Sequence, residues 1–124
     1  MPNAQAIITR SYKDIGGLRP GMGMSVDVLN ENLSQLNILI DGLALQRDFI
    51  YELIAANWVV LVSFTDLTTN HVLAKGNELA LQKNLAVRIA PSMKIYWKIP
   101  EPLLQQVAAE AAEALRAIQG VGPS

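Results

Sequence analysis

Residues 26–43, VDVLNENLSQLNILIDGL, carry the most regular apolar pattern in the chain. Large apolar residues recur there at alternating spacings of three and four, which places them along one side of an α-helix. They are Val26, Leu29, Leu33, Leu36, Ile40 and Leu43. This spacing is typical of a helix that packs along another helix at a shallow angle. With Ser25 as a good N-cap, it predicts a bundle helix over about 25–47.

Start and stop signals predict three further helices, over about 4–15, 77–90 and 101–118. Two consecutive glycines follow the first, and Pro91 disfavours helical geometry in the residue before it. The last helix opens with Glu-Pro, which suits a first turn because a missing N–H is tolerated there and a carboxylate complements the helix dipole. We therefore expect a mainly α, four-helix bundle-like fold in a single domain, 1–124.

A β-arm is predicted between the second and third of these helices, over about 57–74. In the stretch NWVVLVSFT, 57–65, apolar and aromatic side chains alternate, with Trp58, Val60, Val62 and Phe64 on one side. Alternation with β-branched residues is typical of a strand, here 58–65. Its partner is either FIYELI before it or HVLA after it, although 49–56 also fits the frayed end of the preceding helix.

The predicted helix over 77–90 is apolar on two sides, whereas a surface helix of a monomer has one apolar face. Leu81, Leu85 and Ile89 share one side, while Ala80 and Val87 point elsewhere. The second helix also has two apolar sides, because it carries apolar residues outside the regular pattern described above. A further surface must therefore cover these second sides.

Composition indicates what kind of surface this is. Hydrophobic residues make up 51% of the 124 residues and charged residues 17%, below the roughly 25% of an ordinary soluble domain. No apolar run approaches the ~18 residues of a membrane span, and no signal peptide is visible. We therefore expect an oligomer that makes no contact with a membrane.

The sequence offers little for catalysis. There are no cysteines, which excludes disulfides and thiolate metal sites and fits a reducing cytosol, and His71 is the single histidine. The net charge of −1 argues against a dedicated nucleic-acid binder. Glu110 and Glu113 lie one turn apart but fit a solvated helix face better than an acid–base pair. We expect no enzyme, no catalytic residues, no cofactor and no metal.

The candidate site residues are mainly aromatic and apolar residues that lie outside the regular apolar patterns of the helices. Large aromatic residues often provide much of the binding energy at interfaces. Packing in a small hydrophobic cluster beside the main core explains their presence equally well. Arg88 has the same two interpretations, a contact to a neighbouring subunit or a solvated strip. The candidates for a subunit, portal or tail interface are Trp58, Val60, Val62, Phe64, Val87, Arg88, Tyr96 and Trp97.

Three stretches resemble the head-to-tail adaptor proteins of tailed bacteriophages, also called connectors or tail accessory factors. LNENLSQLNILIDGL is similar to the second-helix motif of that family, with its Leu36-Asn37 pair. NLAVRIAP resembles the next long helix, and IPEPLLQQVAAEAAEALRAI the Pro-entered, Ala-rich last helix. The similarity covers roughly 4–119 and is strongest in 29–43 and 84–118.

The resemblance implies a structural virion protein rather than an enzyme. Such adaptors are mainly helical, with a β-hairpin or extended arm between the second and third helices. They form a ring, usually dodecameric, beneath the portal protein, meet a tail or nozzle protein, and let double-stranded DNA pass without sequence-specific binding. The expected location is the virion neck, after synthesis in the host cytoplasm.

One feature of the family has no counterpart here, and one alternative function stays open. Adaptors commonly carry a C-terminal extension that docks onto the portal, whereas this sequence ends at Ser124. The arm or the 17–24 loop is therefore expected to make more of the portal contact. The alternative is a small helical-bundle interaction or regulatory subunit of another assembly.

Overall fold

A computed structural model describes residues 2–17, 24–93 and 98–119. The described part is mainly helical, with a small antiparallel hairpin between the second and third helices, as the sequence predicts. The elements are α1 (Ala4–Asp14), α2 (Val26–Leu45), β1 (Tyr51–Ile54), β2 (Asn57–Val60), α3 (Asn77–Met93) and α4 (Glu101–Ile118).

Local capping sets both ends of α1. The side chain of Asn3 accepts the backbone N–H of Ala6 at 2.8 Å. At the other end Gly16 has a φ of +74°, and the N–H of Gly17 donates to the carbonyl of Tyr12 at 2.8 Å. This left-handed turn satisfies the last free carbonyls and ends the helix one residue before the predicted limit.

α2 ends with the same turn but without a glycine. Arg47 has a φ of +63°, and the N–H of Asp48 donates to the carbonyl of Leu43 at 2.8 Å. The prediction that this helix runs to residue 47 is two residues too long. Because arginine gives no signal for a left-handed turn, the sequence pattern does not reveal this end.

The predicted end of the third helix at residue 90 is wrong. α3 continues through Pro91 to Met93. Proline removes one helical hydrogen bond, but Ile89 and Ala90 just before it are buried among the neighbouring helices. The packing of this turn outweighs the local preference of the residue preceding proline.

α3 is the central helix and packs against α1, α2 and α4. Leu81, Leu85 and Ile89 are buried as expected, and Ala80 on the second side is also fully buried. Other helices of the same chain therefore cover most of that second side. Val87 remains 39% exposed.

β1 lies in the middle of a three-segment arrangement. It pairs with β2 on one side, in the register Tyr51 opposite Val60. On its other side the N–H of Leu53 donates to the carbonyl of Val72 at 2.8 Å, and the N–H of Ala74 donates to the carbonyl of Tyr51 at 3.0 Å. Both candidate partner segments thus join the arm, and 49–56 is strand and turn rather than helix.

The predicted strand over 58–65 is only partly correct, because β2 ends at Val60. Leu61, predicted on the opposite side from Phe64, is buried together with it, while Val62 is 69% exposed. The amide of Asn37 on α2 accepts the N–H of Phe64 at 2.7 Å and donates to its carbonyl at 3.0 Å. These two bonds hold the chain against α2 and break the strand alternation.

Candidate interaction surface

One side of the small sheet is apolar throughout. The register places Leu53 opposite Trp58 and Tyr51 opposite Val60, and cross-strand partners point to the same side of a sheet. Val72 joins them, since its carbonyl accepts the N–H of Leu53. We call this set the arm face; Tyr51 and Trp58 in it are half-buried and the three aliphatic residues are exposed. It is a contiguous apolar surface with no charged side chain.

Contacts on the other side of the sheet fix it to the helices. His71 Nδ1 lies 3.0 Å from a carboxylate oxygen of Glu52, and its ring stands edge-on to Phe64 with centroids 4.8 Å apart. The side chains of His71 and Glu52 are both mostly buried. His71 is therefore part of the contact between the arm and the core.

A second joint is formed by Asn77 at the start of α3. This asparagine is buried, and its side-chain oxygen accepts the N–H of Tyr51 at 2.9 Å. The first residue of β1 is thereby fastened to the central helix. Together with the Asn37 contact, this bond sets the direction in which the arm leaves the helices.

Seven of the eight predicted interface residues fall into three groups, and Arg88 is described below. Trp58, Val60, Val62 and Val87 keep accessible apolar surface. Phe64 does not: it is 1% exposed and belongs to the hydrophobic core, so its prediction as an interface anchor is wrong. The third group, Tyr96 and Trp97, lies outside the described residues.

Arg88 and Asn84 make contacts within the chain. Arg88 Nε donates to the side-chain oxygen of Gln35 on α2 at 2.9 Å, although the residue is exposed. Asn84 donates to the carbonyls of Ala80 at 2.8 Å and Ala111 at 3.2 Å. The amide of Asn84 thus joins α3 to α4, while Arg88 joins α3 to α2.

Further exposed apolar side chains lie on α2, on the arm and on α3, and one of them is Val26, which the sequence pattern wrongly predicts to pack against another helix. Leu45 is 88% exposed at the end of α2. Periodicity alone cannot find these residues, because their exposure depends on which helix sides meet. The others are Ile38, Ile54, Val59 and Leu79.

Lys83 on α3 links α1 to α4. Its Nζ lies 3.2 Å from Asp14 and 2.9 Å from Glu110. Burial alone would lower the pKa of Lys83, but the hydrogen bonds to Glu110 and Asp14 outweigh it and raise this pKa. The hydrogen bond from Lys83 lowers the pKa of Glu110. Glu110 is thus an ion-pair partner of Lys83, and Glu113 on the same helix is exposed.

The described ranges contain no group of three His, Cys, Asp or Glu side chains that could hold a metal ion. Within the same ranges, none of the helices has the length and hydropathy needed to span a bilayer. A cleft of about 80 Å³ lies beside Tyr12, Asn32, Ile89 and Met93. Because pockets for small organic ligands measure roughly 300–1,000 Å³, this cleft is too small for one.

Comparison of the chain with protein-family models, with curated proteins and with solved structures finds no match.

Proposed function

We infer that this protein is a structural, non-enzymatic subunit of a ring that joins capsid to tail in the neck of a tailed bacteriophage. The order of elements agrees with the resemblance of the sequence to head-to-tail adaptors: a mainly helical chain with a hairpin between its second and third helices. The resemblance supplies the identity of the assembly. The exposed surface supplies the physical reason to assemble.

The observation that carries this proposal is the surplus of exposed large apolar residues. Eleven of them lie on α2, the arm and α3. Single exposed apolar residues are normal in monomers, but the arm face is contiguous. Burial stabilises by roughly 25 cal/mol per Å² of apolar surface, so covering these residues favours association.

A ring suits this distribution. Its interfaces are heterologous, so each copy must present two different patches, one to each neighbour. The arm face lies on the small sheet, whereas the exposed residues Leu45 and Val87 lie on helices. In this proposal the arm of one copy meets helical surface of the next. The partners are further copies, usually twelve in total, a portal protein above and a tail or nozzle protein below.

The charge balance fits a channel through which DNA slides. Ten basic and eleven acidic residues leave a net charge of −1. A strongly basic lumen would neutralise phosphates and hold the duplex, as dedicated DNA-binding surfaces do. A nearly neutral ring lets double-stranded DNA pass without sequence-specific contacts.

Light scattering and negative-stain electron microscopy of the purified chain test the proposal, alone and mixed with portal rings from the same source. The expected result is closed rings of many copies with a central opening. Val62→Glu should reduce ring formation at least tenfold, because it places a charge on a highly exposed apolar position. Thr65→Glu, at another exposed position of that segment, is the matched control.

A chain that remains single or paired under both conditions would overturn the ring. It would favour the alternative of a small helical interaction or regulatory subunit in another assembly. Equal effects of Val62→Glu and Thr65→Glu would show that charge alone disturbs assembly, and that apolar burial does not drive it.

A further inference from the structure

The outer edge of β2 carries unpaired backbone groups. A two-residue turn joins the strands, so Asn57 and Val59 exchange hydrogen bonds with β1 while Trp58 and Val60 direct their N–H and C=O groups away from it. The opposite residue Leu53 confirms this alternation, because its N–H points away from β2 and donates to Val72. Within the described part of the chain, Trp58 and Val60 find no backbone partner on their outer side.

In the part of the chain that the structure describes, this edge has none of the features that normally prevent edge strands from pairing. Natural sheets protect their edges with lysine, proline, bulges or covering loops. From Asn57 to Phe64 the sequence NWVVLVSF contains no charge, no proline and no glycine. Val59, Val60 and Val62 are exposed along it. Such an edge is a ready template for another strand.

The opposite edge of the same sheet is already covered. The N–H of His71 points outward from the segment beside β1 and donates to the carbonyl of Pro2 at 2.8 Å. The N–H of Gln5 donates to the carbonyl of Leu67 at 3.0 Å and holds the N-terminal residues in place. Among the described residues each copy therefore has one open sheet edge, and pairing through it closes after two copies instead of growing into a fibre.

We propose that a second copy of this chain occupies the edge, with the two β2 strands antiparallel about a two-fold axis at Val60. Val59 and Val60 point to opposite sides of the sheet, so a fitting strand must be apolar at consecutive positions. Segment 58–62 of the second copy has this character. In this register Val60 faces Val60 of the other copy, and Trp58 faces its Val62.

The pair goes beyond the proposed ring and does not rest on it. Ring contacts join different residues of neighbouring copies, whereas a two-fold pair brings identical residues together. One short strand per copy covers less than the roughly 1,200–2,000 Å² of a stable complex, so the pair is weak and its population rises with concentration.

A cysteine at the axis tests the pair directly, since the natural chain has no cysteine. Directly opposed residues of a hydrogen-bonded antiparallel pair have Cα atoms about 5.5 Å apart, within disulfide range. Mild oxidation of the Val60→Cys variant should give a linked product of two copies that reductant reverses. Leu45→Cys, at a more exposed position on α2, is the control and should link at least tenfold more slowly.

A second pair of variants separates backbone pairing from side-chain contact. Val60→Pro removes the outward N–H without touching the bonds to β1, whereas Val60→Thr keeps it. In the fraction that size exclusion separates from any rings, light scattering should show the mass of the natural chain and of Val60→Thr rising with concentration towards twice 13.5 kDa. Val60→Pro should need at least tenfold higher concentration to do so, with an unchanged circular dichroism spectrum.

Several results would contradict the proposed pairing of two copies. They are equal linking of Val60→Cys and Leu45→Cys, no linking at Val60, or pairing of Val60→Pro at the concentration that pairs the natural chain. If Val60→Pro fails to fold, the cysteine comparison decides. Ring formation in the same samples does not change this test, because a ring contact does not place Val60 against Val60 of another copy.

Discussion

The side-chain amide of Asn37 gives Phe64 the two hydrogen bonds that a neighbouring strand would otherwise provide. It accepts the N–H at 2.7 Å and donates to the carbonyl at 3.0 Å, from a helix 27 positions earlier in the chain. The Phe64 ring is thereby held in the core, edge-on to His71. The side chain of Asn37 thus determines both where the strand ends and where the Phe64 ring packs in the core.

Replacing Asn37 with alanine should destabilise the protein by about 2 kcal/mol, because two backbone groups of Phe64 lose partners in a partly buried place. Urea unfolding followed by circular dichroism measures the change. Asn30→Ala, at an exposed position of the same helix, should change stability by less than about 0.5 kcal/mol. Similar losses for both variants would show that the Asn37 bonds contribute little.

At the level of elements, the hairpin turn is the most strained part of the described chain. Ala55 and Ala56 have φ values of +50° and +65°, where a Cβ atom crowds the backbone. Two-residue hairpin turns of this kind favour Asn-Gly. The tertiary bonds that hold β1 to Val72 and Asn77 keep the turn in place despite the strain.

Exchanging Ala55-Ala56 for Asn-Gly should therefore stabilise the arm. We expect a gain of about 1–2 kcal/mol in the free energy of unfolding, since both residues then suit a left-handed conformation. Hydrogen exchange at the amide of Val59, which pairs with Glu52, measures the arm itself. The single change Ala56→Gly should give about half the effect, and a loss of protection in the double variant would contradict the assigned turn.

Helix limits could be predicted where the signal is local, and the arm could not be predicted in full. α4 has the predicted limits because its Glu-Pro start acts on neighbouring residues only. The early end of β2 depends on Asn37, and the length of α3 past Pro91 depends on packing. Of the candidate site residues, Val62 and Val87 are exposed, whereas Phe64 is buried because its distant contact with Asn37 interrupts the strand alternation.

On the scale of the whole molecule, Lys83 joins three helices through Asp14 and Glu110. The pKa of Glu110 is lowered in the folded chain, chiefly by the hydrogen bond from Lys83, so its contribution to stability is present above its ordinary pKa. That contribution is lost as pH falls through the lowered value. Lys83 has a raised pKa, so its own contribution is lost only as pH rises beyond that value.

The natural protein should consequently lose more stability than the Glu110→Gln variant when the pH falls from about 6 to about 3. Thermal unfolding across that range measures the difference, which should be small because Glu110 is partly exposed. Glu113→Gln, one turn further along α4, serves as the control and should follow the natural protein. An identical pH profile for Glu110→Gln would show that the link between the three helices does not depend on this carboxylate.

Association of whole molecules should respond to temperature and salt as apolar burial does. With 17% charged residues and an uncharged arm face, the contacts proposed between copies are mainly apolar. Apolar association weakens on cooling and strengthens in sulfate, whereas association through surface charges weakens as ionic strength rises. Light scattering at fixed concentration should therefore show a larger mean mass at about 25 °C than at about 5 °C, and a further increase in sodium sulfate. Sodium chloride at about 0.5 M should leave the mean mass nearly unchanged, and a fall in mass there would assign the contacts to charged side chains instead.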